Sequence, residues 1–568
     1  MAVKKIFTSS KKRTILFIGL IILTSGLIGT IIFTYYPDPA HPYNVTNVTL
    51  VTEDDVNLQA IIFTPANLTG CAVINSHGFC GNKRWNQHIS IELAKRGILV
   101  IAFDARGHGA SDGVLGREDL PLDIMAAIQY LQGLGTINKI GLVGHSMGAG
   151  NSMNVAKLYP NLINATVAIG AARTTSDISD VENLLMLLGK YEQTQPPSLL
   201  FDFLEAYTGN PAAELGVVYG NFTLGNATKA VLSPNTEHLL EPFDPVIITE
   251  TIIWFELAFF GAQQGPITIT STYILVFLGI TMVGVLIALF IVMVYLGNYM
   301  FKGKIPDYSE KTFIKNQSVL KPVVYYLLFV PFLAFLLLLP LSTVFSSMVP
   351  IDMFGAIFSS LVLGQAVWIA VVYYLFLSRT ESGHRSFSSL SSSLKTMIST
   401  NPGHSLLYGI LAATITIAAL ATILDWSFNT GIPTLREIGT IFTIAILFFP
   451  FLLLKEFYLR TVQERLRASK HLDSHFKEYF YMVGLGLLMD LSIPIVLMLL
   501  TWQTSLGVIA FVIFPTSIFN FCRQLFLPWI YQNAGRNIMG STIFYSILWA
   551  WMIVGFYPFG GGASISIF

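Results

Sequence analysis

The chain has 568 residues, 53% hydrophobic and 12% charged, and its 33 basic residues balance its 33 acidic ones. Ordinary soluble domains carry about 25% charged residues. The deficit excludes a wholly soluble protein, and a net charge of zero offers nucleic acid no basic surface. The deficit is uneven: residues 37–262 read as a soluble protein, whereas 267–568 read as apolar runs broken by short polar loops.

Lys4, Lys5, Lys11, Lys12 and Arg13 form a basic tail over residues 1–13, ahead of an apolar run over 14–36. About 20 apolar residues span a bilayer, and this run ends in the aromatic belt Phe33-Thr34-Tyr35-Tyr36. The spacing predicts an uncleaved anchor whose basic flank stays in the cytoplasm, which places residues 44–262 outside. Six N-x-S/T sequons fall in that segment, at Asn44, Asn47, Asn67, Asn164, Asn221 and Asn226; a seventh, Asn316, falls in a loop expected inside.

Strand and helix signals then alternate. Runs 45–51 and 56–63 flank Glu53-Asp54-Asp55 as a hairpin. Strands are expected at 72–75, 98–103, 140–143, 165–169, 184–188 and 229–232, and helices at 85–95, 120–131, 148–158 and 245–259. This is an antiparallel start followed by repeated βα units, hence an α/β domain with a mostly parallel sheet covered by helices. Three cysteines are too few for a disulfide framework. Cys71 and Cys80 lie at opposite ends of the 72–76 strand, and with Cys522 they read as free thiols.

Eight apolar spans follow, near 271–297, 321–346, 352–378, 405–425, 437–457, 478–501, 505–530 and 537–559, an all-α polytopic domain over 267–568. The loops expected inside carry Lys302, Lys304, Lys311 and Lys315, then Arg379, Arg385 and Lys395, then Arg460, Arg465, Arg467 and Lys470, then Arg536. Arg436 stands out in an outside loop. This alternation fits the positive-inside rule and predicts nine spans in all, with the C-terminus outside. Two charges fall within spans, Asp490 and Arg523, and are expected to pair. Lys455, Glu456 and Arg460 have the spacing of an ion pair on one helix face at the cytoplasmic interface.

Between the strand run Lys139–Val143 and the next helix stands Gly144-His145-Ser146-Met147-Gly148. That is the strand–turn–helix setting of a G-x-S-x-G nucleophile elbow, in which the glycines leave room for a strained turn. Three further places follow the same plan: Ser76-His77-Gly78-Phe79 after one strand, Asp104-Ala105-Arg106-Gly107-His108-Gly109 after the next, and a late His238. With these four in order, residues 44–262 resemble the α/β-hydrolase family, in the branch of serine aminopeptidase-like and monoacylglycerol-lipase-like enzymes.

The resemblance implies a serine hydrolase with Ser146 as nucleophile and a chain order of serine, acid, histidine. A serine hydroxyl needs a base to take its proton. His41, His77, His88 and His108 precede the serine and His145 adjoins it, so His238 is the one histidine of the segment in the required place. Glu192 stands where the family often has aspartate after the preceding strand, with Asp177 and Asp180 as the alternative acids and Asp244 a further rival. The oxyanion donors implied are the backbone N–H groups of Met147 and Phe79. His77, His108, Arg106 and Asp112 read as residues that hold loops. The interval where the family carries its cap, 171–183, is short, so an open site is expected.

No metal or cofactor constellation appears in the sequence. The partners expected are membrane lipids and a small acyl-containing substrate, with no nucleic acid; the oligomeric state is not legible. Two other readings stay open at this point. One is a transporter or receptor-like protein that uses the domain for binding or processing. The other is an acyltransferase with the same triad.

Overall fold

The computed structural model describes residues 9–36, 38–172, 181–301, 318–377, 387–398, 401–425, 432–468, 474–501, 521 and 523–560. Helix α1, Ser9–Tyr35, leads into an eight-stranded sheet: β1 Tyr43–Val51, β2 Asn57–Pro65, β3 Cys71–Ser76, β4 Leu99–Phe103, β5 Lys139–His145, β6 Ala165–Ile169, β7 Leu184–Gly189 and β8 Thr228–Ser233. The order is β1-β2-β4-β3-β5-β6-β7-β8. β1 and β2 pair antiparallel, β2 joins β4 antiparallel, and every other pairing is parallel. Strands β3, β4, β6 and β7 are buried along their whole length, as parallel strands covered on both faces must be.

Helices α2 Gln87–Ala94, α3 Leu120–Gly133, α4 Met147–Leu158, α5 Leu199–Thr208 and α6 Pro245–Phe260 cover the sheet. Alternation along the strands divides the core in two. Val73, Val100, Val143 and Val167 pack with Ile89 of α2 and Ile252 and Phe255 of α6. Ala72, Ile74, Ile101 and Leu142 pack with Ile124 of α3, Met153 of α4 and Leu200 of α5. Asp244 fixes the start of α6, accepting from Val246 N–H at 2.9 Å and Ile247 N–H at 3.1 Å, with Pro245 at the first helical position where its missing N–H costs nothing.

The remaining helices are α7 Tyr273–Phe301, α8 Leu320–Leu336, α9 Leu338–Met348, α10 Met353–Val372, α11 Phe387–Ile398, α12 Pro402–Leu424, α13 Leu435–Ala468, α14 His475–Thr501 and α15 Ile538–Phe556. Among the described residues, seven helices are long and apolar enough to cross a membrane, and the bent pair α8–α9 makes up to eight. The expected span 505–530 lies mostly outside the described residues; the chain is helical again over 523–533. Helices α1 and α7 pack closely through glycines: a Cβ on Gly26 would come 2.5 Å from Thr281 N, and one on Gly284 would come 2.3 Å from Leu23 N. Small residues let apolar helices approach in this way.

Asp490 and Arg523 pair as expected, Arg523 Nη2 donating to Asp490 Oδ2. Arg460 pairs with Glu456 at 3.1 Å. Lys455 is a correction: its Nζ leaves that helix face and lies 2.9 Å from Asp490 Oδ1.

Among the described residues, the contacts between the sheet domain and the helical region include two that bear on the site. On the α2 face, Glu92 Oε1 accepts the N–H groups of Thr270 and Ser271 at 2.8 and 2.9 Å, and His88 Nδ1 donates to Ser271 O at 2.8 Å. At the C-terminal ends of β3 and β4, residues 557–560 lie along the loop after β4. Phe559 O accepts from Leu115 N–H at 2.7 Å, and Phe559 N–H donates to Gly107 O at 2.9 Å. Arg436 adds a bond to Gly113 O at 2.9 Å while covering the Phe559 ring at 4.0 Å.

Candidate active site

The site is assembled at the C-terminal ends of the parallel strands, where open α/β sheets hold their ligands. Ser146 follows β5 and precedes α4 with φ 54° and ψ −114°. A non-glycine residue held there stores about 1–3 kcal/mol of strain, and the packing around the turn maintains it. A Cβ on Gly144 would lie 2.3 Å from the Gly148 carbonyl, and one on Gly148 would lie 2.3 Å from Ser76 O. Both glycines are therefore required by close backbone approach. The loop after β3 stands beside the serine: a Cβ on Gly78 would come 3.3 Å from Ser146 Cβ. That places the His77-Gly78-Phe79 segment next to the elbow.

His238 lies in the loop after β8. Its Nε2 is 3.0 Å from Ser146 Oγ, and its Nδ1 is 2.7 Å from Glu192 Oε2. Because a carboxylate can only accept, Nδ1 carries the proton and Nε2 offers its lone pair to the serine. Glu192 is itself fixed: Oε1 accepts from Thr194 N–H at 2.6 Å, Thr194 Oγ1–H at 2.5 Å and Gln195 N–H at 3.2 Å. Burial works to raise the Glu192 carboxyl, but the bonds from His238 and Thr194 outweigh it and hold the group below the ordinary carboxylate range. Ser146, His238 and Glu192 thus come together from three separate loops. Such a relay can deprotonate the hydroxyl, hold the resulting imidazolium and return its proton to a leaving group.

The alternative acids Asp177 and Asp180 lie outside the described residues, as does most of the short interval 171–183. Asp244 instead caps α6 and accepts from Ser233 Oγ at 3.0 Å. His77 accepts from Ala105 N–H at 3.0 Å through Nε2 and donates from Nδ1 to Gly78 O at 2.8 Å, so both ring nitrogens are spent on holding loops. His108 Nδ1 bonds Arg106 O at 3.1 Å. Arg106 ties the loop after β4 to Asp123 at 2.7 Å and Asp54 at 2.7 Å, and Asp112 accepts from Asn57 at 3.0 Å. Cys71 and Cys80 are free thiols; Cys522 lies outside the described residues.

Sequence reasoning missed two side chains. His145 points back from the elbow and donates its Nε2–H to His238 O at 2.9 Å. Burial pushes its imidazole down to about 3, so it stands neutral. Glu241, three residues past His238, is fully buried, and its Oε1 accepts Gly189 N–H at 2.6 Å. Burial and the Glu192 charge push its carboxyl well above the ordinary range. Within the described residues, His145, His238 and Glu241 also form the one group close enough to hold a metal ion. The bonds to Glu192, Ser146 and His238 O already occupy His238 Nδ1, His238 Nε2 and His145 Nε2.

Known proteins resemble the chain over part of this domain. Residues 70–209 match the family model described as serine aminopeptidase, S33. The 2-(acetamidomethylene)succinate hydrolase of Mesorhizobium japonicum is 38% identical over 104 residues, which is 18% of this chain and 36% of that protein. The sn-1-specific diacylglycerol lipase of Xenopus laevis is 31% identical over 106 residues, 18% of this chain and 33% of that protein. The chain spans about a third of the length of the curated relatives it matches. An esterase structure from Pyrococcus furiosus covers 38% of this chain and 92% of its own, at 18% identity and a TM-score of 0.31. With its sheet order, its elbow and its matched family model, the domain built on the eight strands is an α/β-hydrolase of the serine-hydrolase type.

Proposed function

We propose that this chain is a membrane-integral serine hydrolase that cleaves an ester, thioester or amide bond of a membrane-borne acyl substrate. The observation that carries the reading is the continuous relay from Ser146 Oγ through the His238 ring to Glu192. Ser146 Oγ attacks the acyl carbonyl as His238 Nε2 takes its proton. Glu192 stabilises the imidazolium, and the N–H groups of Met147 and Phe79 receive the oxyanion. His238 then gives its proton to the leaving group, and water, activated by the same ring, releases the acyl group from the serine.

Two features support a bilayer setting. The apolar helices are long enough to span one. Residues 557–560 and Arg436, at helix ends expected outside, touch the loop after β4 at the catalytic edge of the sheet. The site then faces the outer leaflet, where an acyl chain reaches it without leaving the membrane. In this topology the N-terminus is cytoplasmic, and the hydrolase domain and C-terminus are outside. Exposed sequons at Asn44, Asn47, Asn67, Asn221 and Asn226 fit that side.

The substrate class is tested with purified full-length protein in proteoliposomes. A long-chain acylglycerol embedded in the bilayer is expected to be hydrolysed at least 10-fold more efficiently than a water-soluble short-chain ester of the same alcohol, and Ser146→Ala is expected to stop both. A preference for the soluble ester would sink the membrane-borne assignment.

A further inference from the structure

Two buried carboxyls meet behind the His238 ring. Glu192 is one, and Glu241 is the other. Glu241 Oε1 is satisfied by Gly189 N–H at 2.6 Å. Its Oε2 is buried and accepts from no donor among the described residues. The N–H groups facing it are His145 Nε2 at 3.5 Å and His238 Nδ1 at 3.9 Å. Both are already spent, the first on His238 O at 2.9 Å and the second on Glu192 Oε2 at 2.7 Å. An ionised oxygen left there without a donor would cost more than an unmet neutral acceptor does. A protonated oxygen instead needs an acceptor, and the Glu192 carboxylate faces the same ring nitrogen: His238 Nδ1 is 2.7 Å from Glu192 Oε2 and 3.9 Å from Glu241 Oε2.

We propose that Glu241 is held as a neutral acid whose Oε2–H donates to the Glu192 carboxylate, making it the positioning residue of a four-membered relay, Ser146–His238–Glu192–Glu241. The inference rests on the serine-hydrolase reading and deepens it. The fold makes specific room for this group. Gly170, directly after β6, has φ +67°, and a Cβ there would lie 2.4 Å from Glu241 Oε2 and 3.1 Å from His145 Nε2. The titratable groups around Glu241 are Glu192 after β7, His145 at the end of β5, and His238 and Glu237 on its own loop. The Glu192 and Glu237 charges both oppose ionisation of Glu241, and the neutral His145 gives it no counter-charge.

The consequence is electrostatic as well as steric. A donor on Glu192 withdraws part of the negative charge that faces His238. Removing that donor leaves Glu192 with its full charge, which favours the imidazolium form. An ionised Glu241 predicts the opposite, because its removal takes a negative charge away from His238.

The test reads the pH dependence of fluorophosphonate labelling of Ser146 in the full-length protein, whose acid limb reports the free enzyme's base. Glu241→Ala is expected to move that limb up by about half a pH unit or more. Glu241→Gln, which keeps both an acceptor for Gly189 and a donor for Glu192, is expected to leave the limb in place. A downward move in Glu241→Gln would overturn the inference even if Glu241→Ala does not fold, and an unmoved limb in a folded Glu241→Ala would reduce Glu241 to a structural residue. A wild type that does not label at all would defeat the serine-hydrolase reading itself, an outcome distinct from either of these.

Discussion

His238→Ala is expected to lower kcat on a soluble activated ester by about 10⁴-fold or more, with little change in KM. The His238 ring is where two requirements meet. Its Nε2 is 3.0 Å from Ser146 Oγ, and its proton-bearing Nδ1 is 2.7 Å from Glu192. His145 does not substitute, because its Nε2–H is committed to His238 O and burial holds it neutral far below neutral pH. His77 does not substitute either, with both nitrogens engaged by the backbone. Removing the ring leaves substrate binding and the oxyanion donors, which alone sustain only a small residual rate. Steady-state kinetics on the purified variants decide the matter. A loss under 10-fold in His238→Ala would remove the base assignment. Near-normal turnover in Glu192→Ala would take the acid away from Glu192 and return it to Asp177 or Asp180.

The second large effect is on stability. Lowering the pH from 7 to 5 is expected to destabilise the hydrolase domain by several kcal/mol. Four of the buried histidines there are lowered by burial from 6.5: His88 to about 4, His108 and His145 to about 3, and His77 in the same direction. Their folded-state values lie below the unfolded one. The stability they confer is therefore complete above about pH 6.5 and is lost progressively as pH falls toward their folded values. Each contributes a slope of up to about 1.4 kcal/mol per pH unit in that window. Glu192, held low, adds to the same trend at lower pH. Glu241 opposes it by a single proton, since a raised carboxyl favours the fold in acid and loses that contribution as pH rises through its folded value. Thermal unfolding of the full-length protein followed at pH 7, 6 and 5 checks the sign, and a midpoint that does not fall between pH 7 and 5 would contradict it.

Much of this architecture is legible in the sequence because it rests on local pattern. All eight strands stand where apolar, β-branched runs meet turn residues, and the elbow is recognisable from two glycines around a serine. Helix α5 went unread although Leu200, Phe203 and Leu204 carry helical spacing, because it is short and follows Pro196-Pro197. Glu241 was illegible for a different reason. In Glu241-Pro242-Phe243 it reads as an ordinary acid before a helix. Its setting depends on Gly189 at the end of β7 and Gly170 after β6, both distant in the chain and brought to it by the parallel sheet. The direction of His145 is hidden in the same way, since only the register of β5 beside the His238 loop aims it. The i,i+4 spacing puts Glu456 and Arg460 on one face, and sequence alone groups the adjacent Lys455 with them. A residue one step back points about 100° away, toward Asp490 on α14. The pairing of residues 557–560 with the loop after β4 is made by the main chain, which leaves no trace in side-chain pattern.

Activation of Ser146 by His238 is read by mass spectrometry of the full-length protein after reaction with a fluorophosphonate probe, alongside Ser146→Ala and His238→Ala. One phosphonylated peptide is expected, carrying the adduct on Ser146, with no adduct in Ser146→Ala and a strongly slowed reaction in His238→Ala. An adduct of equal yield in Ser146→Ala, or a wild-type protein that stays unmodified, would contradict it.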